Sequence, residues 1–556
     1  MSHNYHLPWH QYLETLKPHE RPMLPGSPAT PDHPTALRLA YAAVGLLVTL
    51  AGSLGNAVVT ANIQNLAGTL GVTTNEAAWL PVVFVMTNAC MNLLLIKFRM
   101  QYGLRLFTEI ILAIFVFVTV AHLLVNDFNS TLVVRAVAGI CAAGMSTLGI
   151  LYLMQAFPAA HRLKGLLIGI GLASFSLPAA RLFSNQLLEI GEWRGIHLLE
   201  LGLALISLAA VFSLKMPPSE RLKVFEKLDF VTFALFAPGV ALLCAVLGLG
   251  RLVWWTEAAW VGWALVGAIV LLAAAFMIEH SRERPLINLH WLGSSVVVRL
   301  ALSILLVRIV LAEQTSGAVG FLQQMGLGPD QLHGLFGVIL AATAAGTMVS
   351  VLTLNMEKLY KPIAIALALI AIGAFMDSDA TVLTRPVNVY FSQSLLAFAS
   401  ALFIGPALMI GVAQVLQRGA ENLVSFIVVF MVGQNIGGLA GSALVGSLQV
   451  VREKFHSSQL TESITLSNPD VALRLQQLGG AYSHTVGDPG QRNVEALRLL
   501  QQQVTQQANV LAYNDIFLMI AIAAAVGSIW VAIDHLRHQR QVRKAIAAQA
   551  SEAAAA

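Results

Sequence analysis

Charge is scarce in this chain. Asp, Glu, Lys and Arg make up 11% of the 556 residues, against roughly 25% in soluble domains. A water-soluble globular fold is therefore excluded, and a 57% hydrophobic share needs a solvent other than water. Cysteine is nearly absent. Cys90, Cys141 and Cys244 all fall in apolar runs, where they read as small core residues and not as a disulfide framework or metal set. No phosphate-binding Gly-Lys-Ser/Thr loop is present, which removes an ATP drive. No GxSxG elbow and no metal-spaced Cys/His set appears, so neither an enzyme nor a cofactor is expected. His3, His6, His10, His19 and His33 crowd the first 37 residues, but their spacing fits no ligand template and the prolines among them prevent one long helix. No cleavable signal peptide is visible, because the first apolar run begins only near Arg38.

What the chain has in quantity is apolar runs. About 14 of them are long enough to cross a bilayer, which takes about 20 residues each as helix. The loops between them alternate in charge. With the N-terminus inside, roughly 21 Lys and Arg fall on cytoplasmic segments, while the short outer loops hold Arg194, Arg251 and Arg385. This asymmetry orients the chain with both termini cytoplasmic. The expected fold class is all-α and polytopic. A cytoplasmic tail spans 1–37, a six-helix bundle 38–215, two inserted helices 228–278, a second six-helix bundle 296–534 and a cytoplasmic tail 535–556. One loop of the second bundle, 452–512, is long, polar and outside. Its second half has Leu497, Leu500 and Val504 at helical spacing. It reads as an amphipathic helix lying on the membrane or on itself, or as a docking platform for a periplasmic partner.

Several pieces in order along the chain resemble one family. Asn65-Leu66-Ala67-Gly68-Thr69-Leu70-Gly71-Val72 with Trp79 is similar to the end of its first helix. Arg135 with Gly139 and Gly144 is similar to its fourth-helix arginine motif, and Trp193-Arg194 to the turn into its sixth helix. Glu279, Arg284, Pro285, Leu286 and Leu289 match the segment after the eighth. Phe321-Leu322-Gln323-Gln324 with Gly328 matches the loop before the tenth, and Gly437-Gly438 with Gly441 the thirteenth. Ala512-Tyr513-Asn514-Asp515-Ile516-Phe517 follows a Gln-rich stretch, as in adaptor-dependent members. The chain thus resembles the fourteen-helix drug/proton antiporters of the major facilitator superfamily over roughly Arg38 to Asp534. The resemblance implies two six-helix bundles plus two inserted helices in a bacterial inner membrane. It also implies a proton-coupled exporter of small molecules, working with a periplasmic membrane-fusion adaptor and an outer-membrane channel; no nucleic-acid partner is expected. The departures are specific. Gly55 stands where the family has a first-helix aspartate. Ile96 and Met100 replace two residues of the loop motif that keeps Gly103 and Arg105. Ala180-Arg181 and Ser184-Asn185 stand in the fifth-helix motif, and Gln434 stands where the thirteenth helix has an arginine.

Polar residues inside apolar spans are expensive and rarely idle. Arg135 is expected to serve coupling or gating, the structural alternative being a hydrogen bond to backbone or Gln155. Arg181 offers a fixed cation for an acidic substrate, or an ion pair with a neighbouring glutamate. In the ninth span Arg308 and Glu313 lie five apart, about 140° around a helix, so they do not pair with each other. Arg299 is expected to snorkel toward the cytoplasm. Glu313 is the acid best placed to exchange protons. Glu109 is expected to pair with Arg105, and Glu200 loosely with Arg194, or to touch substrate. Gln434 and Asn435 offer uncharged substrate contacts. Gly165/Gly169 and Gly433/Gly437/Gly441 permit close helix approach, as plain packing or as a sliding interface. The expected cargo is amphipathic or acidic. The rival readings are an uncoupled carrier and a non-transporting scaffold that holds a periplasmic partner through 452–512.

Overall fold

The computed structural model describes residues 9–22, 26–356, 358–419, 422–465, 467–481 and 483–555, without the side chains of 184–192, 538 and 540–555. His3, His6 and the side chains of Ser184 and Asn185 lie outside the described residues. Among the described residues the chain is helical apart from loops and one isolated bridge, Pro28 to Ser219. Among the described residues, thirteen helices are long and apolar enough to span a bilayer, and one bent pair makes a fourteenth. In chain order they are α1 (Thr35–Ala61), α2 (Trp79–Tyr102), α3 (Leu104–Leu124), α4 (Phe128–Gln155) and α5 (Ala159–Ala173 with Ser176–Phe183, bent by 43°). Then come α6 (Trp193–Ser213), α7 (Lys227–Leu249), α8 (Ala259–His280), α9 (Ser295–Gln324) and α10 (Pro329–Leu352). The last four are α11 (Tyr360–Asp377), α12 (Pro386–Arg418), α13 (Leu423–Glu462) and α14 (Pro489–Arg537). The protein is a multi-pass membrane protein, and large apolar side chains such as Phe117, Trp263 and Ile269 point outward, as lipid-facing residues do.

Each half has its own apolar core. One gathers Tyr41, Phe107, Met145 and Tyr152 from α1, α3 and α4. The other gathers Ile304, Phe321, Leu367, Phe403 and Phe517 from α9, α11, α12 and α14. The inserted pair bridges them. Phe236, Val240 and Cys244 of α7 pack with Cys90 and Leu93 of α2 and with Val424 and Val428 of α13. Cys90 donates to the Ala237 carbonyl at 3.3 Å. All three cysteines are free and buried.

The sixth span begins at Trp193, where the sequence placed the entry to the sixth helix. Helical bonding runs unbroken over Ser176–Ser213. Ala180 and Ile196 nevertheless share one cluster with Ala57 and Val58. A straight helix would hold them about 24 Å apart; the spans that carry them, Ser176–Phe183 and Trp193–Ser213, are separate and both pack on α1.

The 452–512 segment is helix for most of its length. α13 continues to Glu462, a short helix covers Pro469–Gly480, and α14 begins at Pro489. The stretch carrying Leu497 is therefore collinear with the last span and does not lie in the membrane plane. From Gln491 to Val526 there is no Gly or Pro to break it. Asn514 holds Ala380 through both its N–H (3.2 Å) and its carbonyl (2.9 Å), and Asp515 takes His456 at 2.6 Å and the Arg452 guanidinium. The motif from Ala512 to Phe517 is thus the point where the long helix is clamped as it enters the bundle.

The N-terminal segment also folds. Tyr12, Leu16 and Ala29 form a small core. Gln155, at the end of α4, donates to the Ala29 carbonyl (2.8 Å) and bonds His33 (3.1 Å), and Arg162 donates to the Arg21 carbonyl. The tail is strapped across the hinge between α4 and α5.

Candidate functional site

Two buried ionisable clusters, one per bundle, stand out. The first forms where α1, α3, α4 and α6 meet. Asp127 caps α4 by accepting from the Ser130 N–H at 2.9 Å, and Arg135 lies two turns farther on with no exposed surface. Its guanidinium donates to Asn56 Oδ1 (2.6 Å) and the Gly55 carbonyl (3.3 Å), and sits 4.8 Å above the Phe84 ring. Gln155 is not its partner, being committed to the N-terminal strap. The α2–α4 approach depends on Gly139, where a Cβ would lie 2.1 Å from Thr87 Oγ1 and 2.3 Å from the Phe84 carbonyl oxygen. Gly144 faces Ile111 of α3 in the same way.

Glu200 belongs to this cluster. It does not reach for Arg194, which is exposed, because position 200 faces inward. Its carboxylate takes His197 Nδ1 at 3.1 Å and lies 3.7 Å from His122 Nδ1. The two imidazoles stack, centroids 4.5 Å apart at 14°, and Trp193 meets His197 edge-on at 4.2 Å. A Cβ on Gly55 would lie 2.3 Å from Glu200 Oε1. His122, His197 and Glu200 bring three ligand-type atoms within 4.8 Å. Stacked rings cannot both hold one ion in their planes, so the arrangement does not fit a metal and suits a proton.

The second cluster joins α9, α11 and α12. Glu313 has no exposed surface and opens a π-helical turn, Glu313–Ala318, an irregularity that often marks functional positions. Gln393 Nε2 donates to both Glu313 oxygens (3.0 and 3.2 Å) and to Asp377 Oδ2 (2.8 Å). Ser392 donates to Asp377 Oδ1 at 2.5 Å. Gln393 thus bridges the two carboxyl groups through one side-chain nitrogen. Among the described residues no basic side chain is paired with either acid. Asp377 and Gln393 escaped sequence reasoning. Asp377 closes an apolar run and looks like an outer-loop acid, and an amide carries no charge to flag it.

The remaining sequence candidates scatter. Arg308 donates through Nε to the Gln434 carbonyl (3.2 Å), with Gly437 and Gly438 against its side chain. Gly441 packs on Ala312 and Ile309. The glycine stripe thus seats α13 on α9 inside one bundle and is no sliding surface between bundles. The Gln434 side-chain nitrogen is buried without a partner. Asn435 reaches Asn88 of α2 at 3.5 Å, a contact between the two halves. Arg181 stands apart, 5.7 Å over the Phe336 ring of α10, and among the described residues no carboxylate pairs with it. Arg299 pairs with Asp534, and Glu109 with Arg105 at 2.9 Å; both are structural.

Against solved structures, the chain covers all of the human organic anion transporter MFSD10 with a TM-score of 0.52 at 13% identity, using 89% of its own length. It covers 95% of the proton:xylose symporter XylE with a TM-score of 0.51 at 13% identity, using 88% of its own length. Two bundles with an inserted pair on this scaffold define a major facilitator fold. Among sequences, it is 21% identical to the uncharacterized MFS-type transporter YhcA of Bacillus subtilis over 87% of this chain and 92% of that protein. It is 22% identical to the probable multidrug resistance protein EmrY of Escherichia coli over 86% and 91%. It is 28% identical to the multidrug export protein EmrB of Escherichia coli over 145 residues, a quarter of the chain. No family model matches the chain. The chain thus has the major facilitator fold and is similar in sequence, at low identity, to EmrB-like multidrug and MFS-type transporters.

Proposed function

We propose that this protein is a proton-coupled exporter of small amphipathic or acidic compounds from the bacterial cytoplasm. The observation that carries the reading is the Glu313–Asp377 pair, two buried carboxyl groups bridged by Gln393, with no cation paired to either among the described residues. In alternating access two bundles rock about a site near the midplane. A carboxyl pair that gains and loses its proton as it faces either side supplies the coupling. Similarity to proteins named for multidrug export supports the outward direction. Arg181 and Arg308 are unpaired by carboxylates among the described residues and favour anionic groups on the cargo, with Gln434 and Asn435 as hydrogen-bonding contacts. The helical platform formed by the outer ends of α13 and α14 supports the further reading that a periplasmic adaptor docks there and passes cargo to an outer-membrane channel, with the long helices in the inner membrane and both termini cytoplasmic.

The test is substrate-triggered proton release in everted vesicles, over a panel of acidic and cationic drugs. Release with acidic compounds that disappears in Glu313→Gln, and a raised half-saturating concentration in Arg181→Ala, are expected. Solute movement with no pH response would replace the reading with an uncoupled carrier. Silence in both would favour a scaffold.

A further inference from the structure

We infer that the Glu200–His197–His122 cluster is a second proton-binding site, in which α6 supplies the carboxylate that α1 lacks. The inference rests on the export reading for its role but not for its existence. Position 55 of α1 is glycine, and the space beside it is filled by Glu200 Oε1, only 2.3 Å from where a Cβ at 55 would stand. The carboxylate therefore occupies the place an acidic side chain on α1 would take, beside the same Arg135 that donates to the Gly55 carbonyl.

Among the described residues, the charges around the site are few. Arg135 comes from α4, His122 from α3, and His197 and Glu200 from α6. Cys141 of α4 also lies within electrostatic reach, and α1 contributes the uncharged Gly55 and Asn56. Arginine stays protonated, so an ionised Glu200 with two neutral imidazoles leaves the cluster neutral. One added proton makes it cationic in a dry interior, a state that costs energy unless the surroundings change.

The acceptor for that proton is visible. His197 Nδ1 and Glu200 Oε2 share a hydrogen bond at 3.1 Å; with Glu200 ionised, His197 donates Nδ1–H and its Nε2 is a bare lone pair. Among the described residues, His197 Nε2 and both nitrogens of His122 are buried without hydrogen-bond partners. A buried unpaired imidazole is costly in a purely structural role, and a proton arriving at Nε2 is shared with Glu200 through the existing hydrogen bond. Since the site touches α1, α3, α4 and α6 together, its charge state reports to every helix of the N-terminal bundle that must move.

Trp193 provides a readout that needs no substrate. Its ring meets His197 at 4.2 Å, and an imidazolium quenches indole emission more than a neutral imidazole does. The full-length protein in liposomes, titrated between pH 5 and 9, should show a fluorescence step that vanishes in Trp193→Phe and shifts to lower pH in Glu200→Gln. In everted vesicles Glu200→Gln should lose substrate-driven proton release while keeping exchange of labelled for unlabelled drug. Glu200→Ala combined with Gly55→Asp returns the acid to α1 and should recover part of the release. Wild-type release without any Trp193-dependent step, or release unchanged in Glu200→Gln, overturns the site and leaves the export reading standing. A step without wild-type release supports the site and overturns export instead.

Discussion

Replacing Asp229 with alanine should destabilise the whole assembly, and the structure gives the size of the effect. Asp229 is fully enclosed at the start of α7. It accepts from Lys97 Nζ of α2 at 2.7 Å, from Arg282 Nη2 at 2.8 Å and from the Glu226 N–H at 2.9 Å. Arg282 also holds Glu226 at 2.8 Å and Glu279 at 2.7 Å. Burial by itself would lower its pKa; its hydrogen bonds to Glu226, Asp229 and Glu279 outweigh that and raise it well above the usual arginine value. Removing Asp229 leaves Arg282 with two acids but strips Lys97, 9% exposed, of its hydrogen-bonded carboxylate. Breaking a buried pair from one side costs about 3–5 kcal/mol, whereas replacing both partners with apolar groups is often near neutral. Lys97→Met with Asp229→Leu should therefore recover most of the loss. Cys90 and Cys244 lie in the apolar cluster beside this network, so the rate at which a thiol-reactive dye labels them on heating reports unfolding without added probes. If Asp229→Ala melts with the wild type, or if the double variant loses as much as the sum of the singles, the network is not what binds the inserted pair to α2.

Two further outcomes follow from local geometry. Gly139→Val should cost about 1–3 kcal/mol or prevent folding, because the new side chain meets backbone of α2 that cannot yield. Expression and the labelling of neighbouring Cys141 measure it, while Gly262→Ala, which meets open space, should behave as wild type. At the start of α4, the Ser130 N–H bonded to Asp127 lowers that carboxyl below its ordinary value. A lowered folded-state pKa gives stability that is present above the unfolded value and is lost as pH falls through the folded one. Asp127→Asn, still able to cap the helix, should flatten this acid sensitivity in pH-dependent melting, and Asp127→Ala should remove the cap at every pH.

Much of this protein was determined by sequence alone. Apolar length and the side on which Lys and Arg fall set the number of spans, because a bilayer tolerates neither short helices nor stray cations. An arginine such as Arg135, inside an apolar run, declares a buried partner before any partner is seen. What sequence could not supply is the identity of partners brought together across helices. Glu200 lies 145 residues from Gly55 in the chain, yet fills its missing side chain. Asp377 looks like a loop acid until α9 and α12 bring Glu313 and Gln393 against it. Gln155 looks like a partner for Arg135 and is instead tied to the tail. Periodicity reports which face of a helix is buried, but not which neighbour buries it. Only the packing of the helices sets which residue stands opposite which, and in a dry interior that pairing decides where a proton can sit.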